Sequence, residues 1–112
     1  MRKNAHDVLE DLRLALAKEL VRRFDADQIR QHSLGNLDRW RSIGTEGRAY
    51  DEWRSILTSA DDGTLCAILI ADTDEGRRLR QSMPCTGLLP REIVESLRRQ
   101  VGLSSMGLDA SI

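Results

Sequence analysis

Leu65-Cys66-Ala67-Ile68-Leu69-Ile70-Ala71 is the stretch on which the fold class turns. It is the longest apolar run in the chain, and its leucine and β-branched content fits a buried strand as well as a short helix. Periodicity cannot separate the two at this length. A strand needs a neighbour to take up its backbone hydrogen bonds, and no second strand pattern exists for it to pair with. The run therefore reads as a helix, capped by Thr64 after an Asp61-Asp62-Gly63 turn, and the chain reads as all-α.

The segments on either side agree. From Ala5 to Phe24, Val8, Leu9, Leu12, Leu16, Leu20, Val21 and Phe24 recur at helical spacing. Asn4 stands at the N-cap, Asp7 in the first turn, and Lys18, Arg22 and Arg23 in the last turns, each where the helix dipole favours it. Asp25 with Gln28 forms a capping-box signature for a second helix, whose inner face runs through Ile29, Ser33, Asn36 or Leu37, and Trp40 to a stop at Ile43-Gly44. Gly35 falls inside this pattern, where close packing against another helix would account for it. After a Gly44–Gly47 loop, Tyr50, Trp53, Ile56, Leu57 and Ala60 mark a third helix. Beyond the apolar run, Asp74 and Glu75 open a short helix to about Ser82, and Pro90 opens a last one through Ile93, Val94, Leu97 and Val101.

The expected architecture is a compact bundle of about five to six helices, one long at the N-terminus and several short, in which the Pro84–Pro90 corner turns the last helix back. Residues 1–101 form a single helical domain and 102–112 a flexible C-terminal tail. Leu12, Leu16, Trp40, Trp53, Leu57, Leu69 and Leu97 are the expected core. Aromatic residues make up only 4% of the chain and there are two prolines, poor material for a sandwich or barrel.

Composition constrains the function. The net charge is −1, with no field strong enough to imply a polyanionic partner. Lysine is nearly absent, Lys3 and Lys18 being the two among 17 basic residues. Arginine's flat fork suits bidentate contacts, but the simpler reading of the bias is a GC-rich coding sequence. Arg2 and Lys3 precede no apolar leader segment, no run is long enough to span a bilayer, and Cys66 and Cys85 read as reduced thiols, so a cytoplasmic location is expected.

No catalytic or metal signature emerges. There is no Cys-x-x-Cys, no His-x-x-x-His, no His-Glu-x-x-His and no phosphate-cradling glycine loop, so no cofactor or metal is expected. Asp72-Thr73-Asp74-Glu75-Gly76 starts like a calcium loop, but its glycine comes one position early and Met83 stands where the bidentate glutamate belongs. His6 and His32 lie on different helices, and a hydrolase or nuclease using His32 is a remote alternative to a non-enzymatic role.

The richest binding signal is Arg77-Arg78-Leu79-Arg80-Gln81-Ser82-Met83-Pro84-Cys85-Thr86-Gly87-Leu88-Leu89-Pro90, a basic turn running into a rigid elbow. Arg77, Arg78, Arg80, Gln81, Met83, Leu88 and Leu89 are the candidate partner-binding residues, the arginines for acidic groups and the leucines for an apolar pocket. The same arginines could meet phosphates, since Arg39-Trp40-Arg41 and Trp53-Arg54 also interleave cation and aromatic ring. A pI near 6.1 and tryptophans on apolar faces weigh against nucleic acid.

His32-x-Leu34-x-Asn36-Leu37-x-Arg39-Trp40, Tyr50-x-x-Trp53 and Arg78-Leu79-Arg80-Gln81-Ser82-x-Pro84-x-x-Gly87-Leu88-Leu89 together resemble a group of small, uncharacterised bacterial proteins of plasmid, defence-island or toxin–antitoxin neighbourhoods. The resemblance spans roughly residues 30 to 95 and implies a bacterial cytosolic role without catalytic residues. The pattern departs at Cys85, where an aromatic residue is expected. The functional expectation is thus a non-enzymatic protein–protein interaction module of antitoxin or accessory type, with a nucleic-acid-binding regulator as the alternative. No membrane association is expected, and a homodimer sharing its core is compatible with so many short helices.

Overall fold

The computed structural model describes residues 4–102, and the tail beyond them lies outside the described residues. Six helices follow one another: α1 (Ala5–Arg23), α2 (Ala26–Ser42), α3 (Arg48–Ser59), α4 (Asp62–Ile70), α5 (Asp74–Arg80) and α6 (Arg91–Val101). The all-α bundle with a long first helix is as the sequence predicts.

The apolar run of α4 explains its own ambiguity. This helix packs on α1, α2 and α5, so its apolar residues are not gathered into a stripe. A helix contacted from several directions reads as a continuous run, the same signature a buried strand leaves. The helix starts earlier than the sequence reading, because Asp61 rather than Thr64 is the N-cap and its carboxylate accepts from the Thr64 backbone N–H. Asp62 and Gly63 are therefore its first turn, not a separate one.

Elsewhere the caps set the boundaries. Asn4 accepts from the Asp7 N–H, and Asp25 and Gln28 complete a reciprocal capping box. Thr73 caps α5 through the Gly76 N–H. Pro90 is itself the N-cap of α6, one position outside the helix it was expected to begin.

The core gathers Leu20, Ile29, Leu37, Trp53, Leu57, Leu65, Leu69, Leu79, Cys85 and Leu89 around α4. Trp53 sits at 0% exposure with its indole N–H donating to the Leu79 carbonyl at 2.8 Å, which fixes α3 to the end of α5. Leu12 is buried as expected. Leu16, Trp40 and Leu97 are corrections: each is only half-buried. Trp40 comes one turn before the exposed α2–α3 loop, and Leu97 lies on α6, an amphipathic helix that packs on α1 and has no fully buried residue. Gly35 is also corrected, since the space above it is open and no helix approaches.

Gly76 is where a glycine is required. A Cβ there would lie 2.1 Å from the carbonyl oxygen of Ala71, so the close approach of α5 to the end of α4 depends on its absence.

Candidate functional site: an elbow gripped by α2 and the groove beside it

Three polar residues on one side of α2 hold the Pro84–Gly87 elbow. His32 and Asn36 are four apart and Ser33 lies between them, so all three project from adjoining turns. The Asn36 amide donates to the carbonyls of Pro84 (2.8 Å) and Thr86 (3.0 Å). His32 Nε2 lies 2.6 Å from the Thr86 carbonyl oxygen, a geometry that requires the ring to donate from that nitrogen. The Ser33 hydroxyl donates to the Cys85 Sγ at 3.1 Å. Burial pushes the Cys85 thiol up to about 11, only partly opposed by Ser33, and keeps it protonated. Gly87 completes the turn at φ +88°, in the left-handed region that favours glycine, with the His32 imidazole directly above it. Much of the His32–Trp40 and Pro84–Leu89 pattern is therefore one structural joint.

The arginines before the elbow are committed to partners within the chain, Arg80 in the interior and Arg77 and Arg78 nearer the surface. Arg80 is only 3% exposed, and its guanidinium donates to the carbonyls of Leu69 (3.0 Å) and Ala71 (2.8 Å) at the C-terminus of α4. Burial holds its pKa below the ordinary arginine value, and the carbonyls compensate the desolvated charge. Arg78 binds Glu52 of α3 through two nitrogens (2.9 and 2.8 Å) and Glu75 of its own helix. These carboxylates raise the Arg78 pKa, and Arg78 in turn lowers those of Glu75 and Glu52. Arg77 bonds Asp74 and Asp72, with Glu10 of α1 at 3.9 Å. Arg30 repeats the arrangement of Arg80 elsewhere, capping α3 through Leu57 O (2.6 Å) and Ala60 O (2.7 Å) while pairing with Asp62. Forked contacts through both terminal nitrogens need a planar guanidinium, so at Arg30 and Arg78 the arginine bias has a structural cause beyond base composition, whereas Arg80 uses Nη1 alone.

The remaining candidates divide by position. Leu89 is buried in the core, Leu88 and Met83 are half-buried against it, and Gln81 is exposed. Gln81, Ser82, Met83 and Thr86 form one wall of an open groove of about 290 Å³. Its other walls are Arg13 and Leu16 of α1 together with Trp40 and Tyr50, and Arg80 lies at its base. Trp40 and Tyr50 pack edge-to-face, with ring centroids 5.7 Å apart at 63°. Arg13, Trp40 and Tyr50 were not among the sequence candidates. Trp40 is expected in the core from the sequence, and Arg13 is not singled out by any motif there.

A second groove, of about 390 Å³, lies on the other side of Arg80 and is lined by Asp7, Glu10, Asp11, Leu14, Asp72 and Arg77. Its lining carries four carboxylates, Asp7, Glu10, Asp11 and Asp72, against two guanidinium groups, Arg77 and Arg80. Among the described residues no three His, Cys, Asp or Glu side chains are placed to share a metal ion, and no helix is long and apolar enough to cross a membrane. Compared with known proteins, the chain matches no family model, no curated protein and no solved structure.

Proposed function

We propose that the chain is a non-enzymatic protein interaction module, of the accessory or antitoxin type that the resemblance of residues 30–95 implies, and that it binds a protein partner beside the Pro84–Pro90 elbow. One observation carries this reading. The elbow is pinned by four side-chain contacts from α2, and that rigidity presents Gln81, Ser82, Met83 and Thr86 as a fixed wall opposite Trp40 and Tyr50. A preorganised wall of methionine, aromatic and short polar side chains binds without first ordering itself, which lowers the entropic cost of association. In this reading Arg77, Arg78 and Arg80 act from behind, holding α5 against α1, α3 and α4, while Gln81, Met83 and the half-buried Leu88 remain available for contact.

Affinity capture of the tagged protein from its native lysate, with nuclease present and washes at moderate then high salt, tests this. The expected result is one stoichiometric protein that survives both washes and is lost when Met83→Ser with Gln81→Ala is the bait. Nucleic acid captured at low salt and released at high salt would instead establish the regulator, because phosphate contacts weaken steeply with salt. A partner retained by the double variant would displace the site from the elbow.

A further inference from the structure

The groove between α1 and the elbow carries an electrostatic asymmetry. Its lining includes two guanidinium groups, Arg13 and Arg80, and no carboxylate. Arg80 is saturated on one side by Leu69 O and Ala71 O, whereas Arg13 makes no hydrogen bond or ion pair among the described residues. That sets Arg13 apart from its surroundings. Arg77 and Arg78, nearby in the same part of the bundle, are each held by two or more carboxylates. Lys18, Arg39, Arg48 and Arg99 also lack an acidic partner, but they stand exposed in water, and the half-buried Arg98, whose Nη1 is buried without a hydrogen-bond partner, lies on α6 outside the groove. Arg13 is half-buried beside Leu16, in a groove whose Trp40 and Tyr50 rings reduce its access to solvent. A cation in that setting attracts a carboxylate more strongly than an exposed one does.

From the unpaired Arg13 and the Trp40–Tyr50 pair we infer that this groove takes an acidic segment of a protein partner, one that places a carboxylate on Arg13 and an adjacent large apolar side chain against Trp40, Tyr50 and Met83. The inference rests on the interaction-module reading and names the chemistry its site selects. The groove's volume, about 290 Å³ and open to solvent, suits one anchoring side chain better than an enclosed small molecule. Gln81, Ser82 and Thr86 supply polar groups along the rim for the segment's backbone. A nucleic-acid strand is disfavoured because two cations do not make a phosphate track, and the neighbouring α2–α3 side is of mixed charge, with Asp38, Glu46, Asp51 and Glu52 set among Arg39, Arg41, Arg48 and Arg54.

The test is selection from a phage-displayed library of random dodecapeptides on the full chain, in parallel with Arg13→Gln and Arg13→Glu. On the natural sequence, the enriched peptides should place Asp or Glu next to Trp, Phe, Leu or Met. A synthetic peptide of that sequence should bind about tenfold or more weakly to Arg13→Gln, the loss expected for one charge-assisted contact. It should also shift the Trp40 indole resonance in a ¹⁵N–¹H spectrum and leave that of buried Trp53 in place. Arg13→Glu should invert the selection toward Lys and Arg. Because Arg13 has no partner to lose among the described residues, circular dichroism should show all three proteins equally helical, and if Arg13→Glu fails to fold, the Arg13→Gln comparison still decides. Enrichment of basic peptides, enrichment unchanged by either substitution, or no enrichment at all overturns the inference. Peptides that bind elsewhere and leave Trp40 unmoved overturn the groove while the interaction reading stands, since capture from lysate tests that reading separately.

Discussion

The side-chain amide of Asn36 donates to the carbonyl of Pro84 across 48 positions of sequence, and with the second bond to Thr86 it joins the middle of α2 to the elbow before α6. Asn36 is 2% exposed and Pro84 is buried, so the Pro84 carbonyl has no ready water as a substitute, whereas the Thr86 carbonyl also accepts from His32. An asparagine on the inner face of a helix normally costs stability; here its donor meets two acceptors, one of which, the Pro84 carbonyl, would otherwise be buried unsatisfied.

Asn36→Ala should therefore destabilise the fold by about 2 kcal/mol, the combined effect of two lost bonds and a stranded Pro84 carbonyl. In a domain of this size that corresponds to a fall in Tm of roughly 10 °C. Asn36→Asp separates bonding from volume: it keeps the shape but aims a carboxylate at two carbonyl oxygens, and it should destabilise at least as much near neutral pH. Thermal denaturation followed by circular dichroism measures both. An Asn36→Asp protein as stable as the natural one would show that the amide's donation is unimportant.

Two of the helical glycines, Gly35 and Gly76, should respond with opposite sign. Gly35 has open space where its Cβ would be, so Gly35→Ala should stabilise by about 0.5–1 kcal/mol through helix propensity alone. Gly76→Ala faces the Ala71 carbonyl oxygen at 2.1 Å and must displace α5 from the end of α4, costing about 2–3 kcal/mol despite the same gain in propensity. Urea midpoints of the two variants, at unchanged slope, distinguish them. Equal shifts would contradict the close approach at Gly76.

The contrast also shows what the sequence could convey. Helix caps are local, and Asn4 with Asp7 and Asp25 with Gln28 were legible because donor and acceptor are three residues apart. Helical periodicity likewise placed Ser33 and Asn36 on the inner face of α2, but it says nothing of what that face meets. The partners of Asn36, Trp53 and Arg80 lie 48, 26 and 11 positions away, and only folding brings them together. Arg80 closes a run of arginines that reads as a partner-binding surface, and nothing local marks it as buried: Gly76 stands one turn before it on the same face, but so does Gly35 before Arg39, where the space is open. Arg13 carried no signal at all, because an unpaired charge is visible only once every neighbouring charge has been paired.

Cys85 should be inert in the folded protein. Its thiol is 3% exposed and accepts the Ser33 hydroxyl, and with a pKa of about 11 roughly one molecule in a thousand would be thiolate near pH 8. Half-buried Cys66 should react with a disulfide reagent such as Ellman's first, leaving Cys85 protected until denaturant is added. A Cys66→Ser variant isolates the remaining thiol. Rapid native-state labelling of that variant would mean that the elbow opens far more readily than its four contacts to α2 allow.

Acid should loosen the bundle through a small set of surface carboxylates. Arg78 holds Glu52 and Glu75 below the ordinary value of 4.5, and Arg22 with Arg23 holds Glu19 at about 2. A carboxylate whose pKa is lower folded than unfolded contributes stability that is present above its unfolded pKa and is lost as pH falls through its folded pKa. Tm should accordingly stay level at mildly acidic to neutral pH, then decline from about pH 4.5 toward about pH 2. Glu52 is the informative member, because its bond to Arg78 ties α3 to α5 whereas Glu19 acts within one helix. Glu52→Gln should lower Tm slightly at neutral pH and flatten the acid decline, and added salt should do the same by screening an exposed pair. If the acid limb is equally steep in the variant, the Arg78–Glu52 bridge contributes nothing to the pH response, and Glu19, Glu75 and the α4 cap Asp61, whose carboxylate accepts a backbone N–H group, carry it.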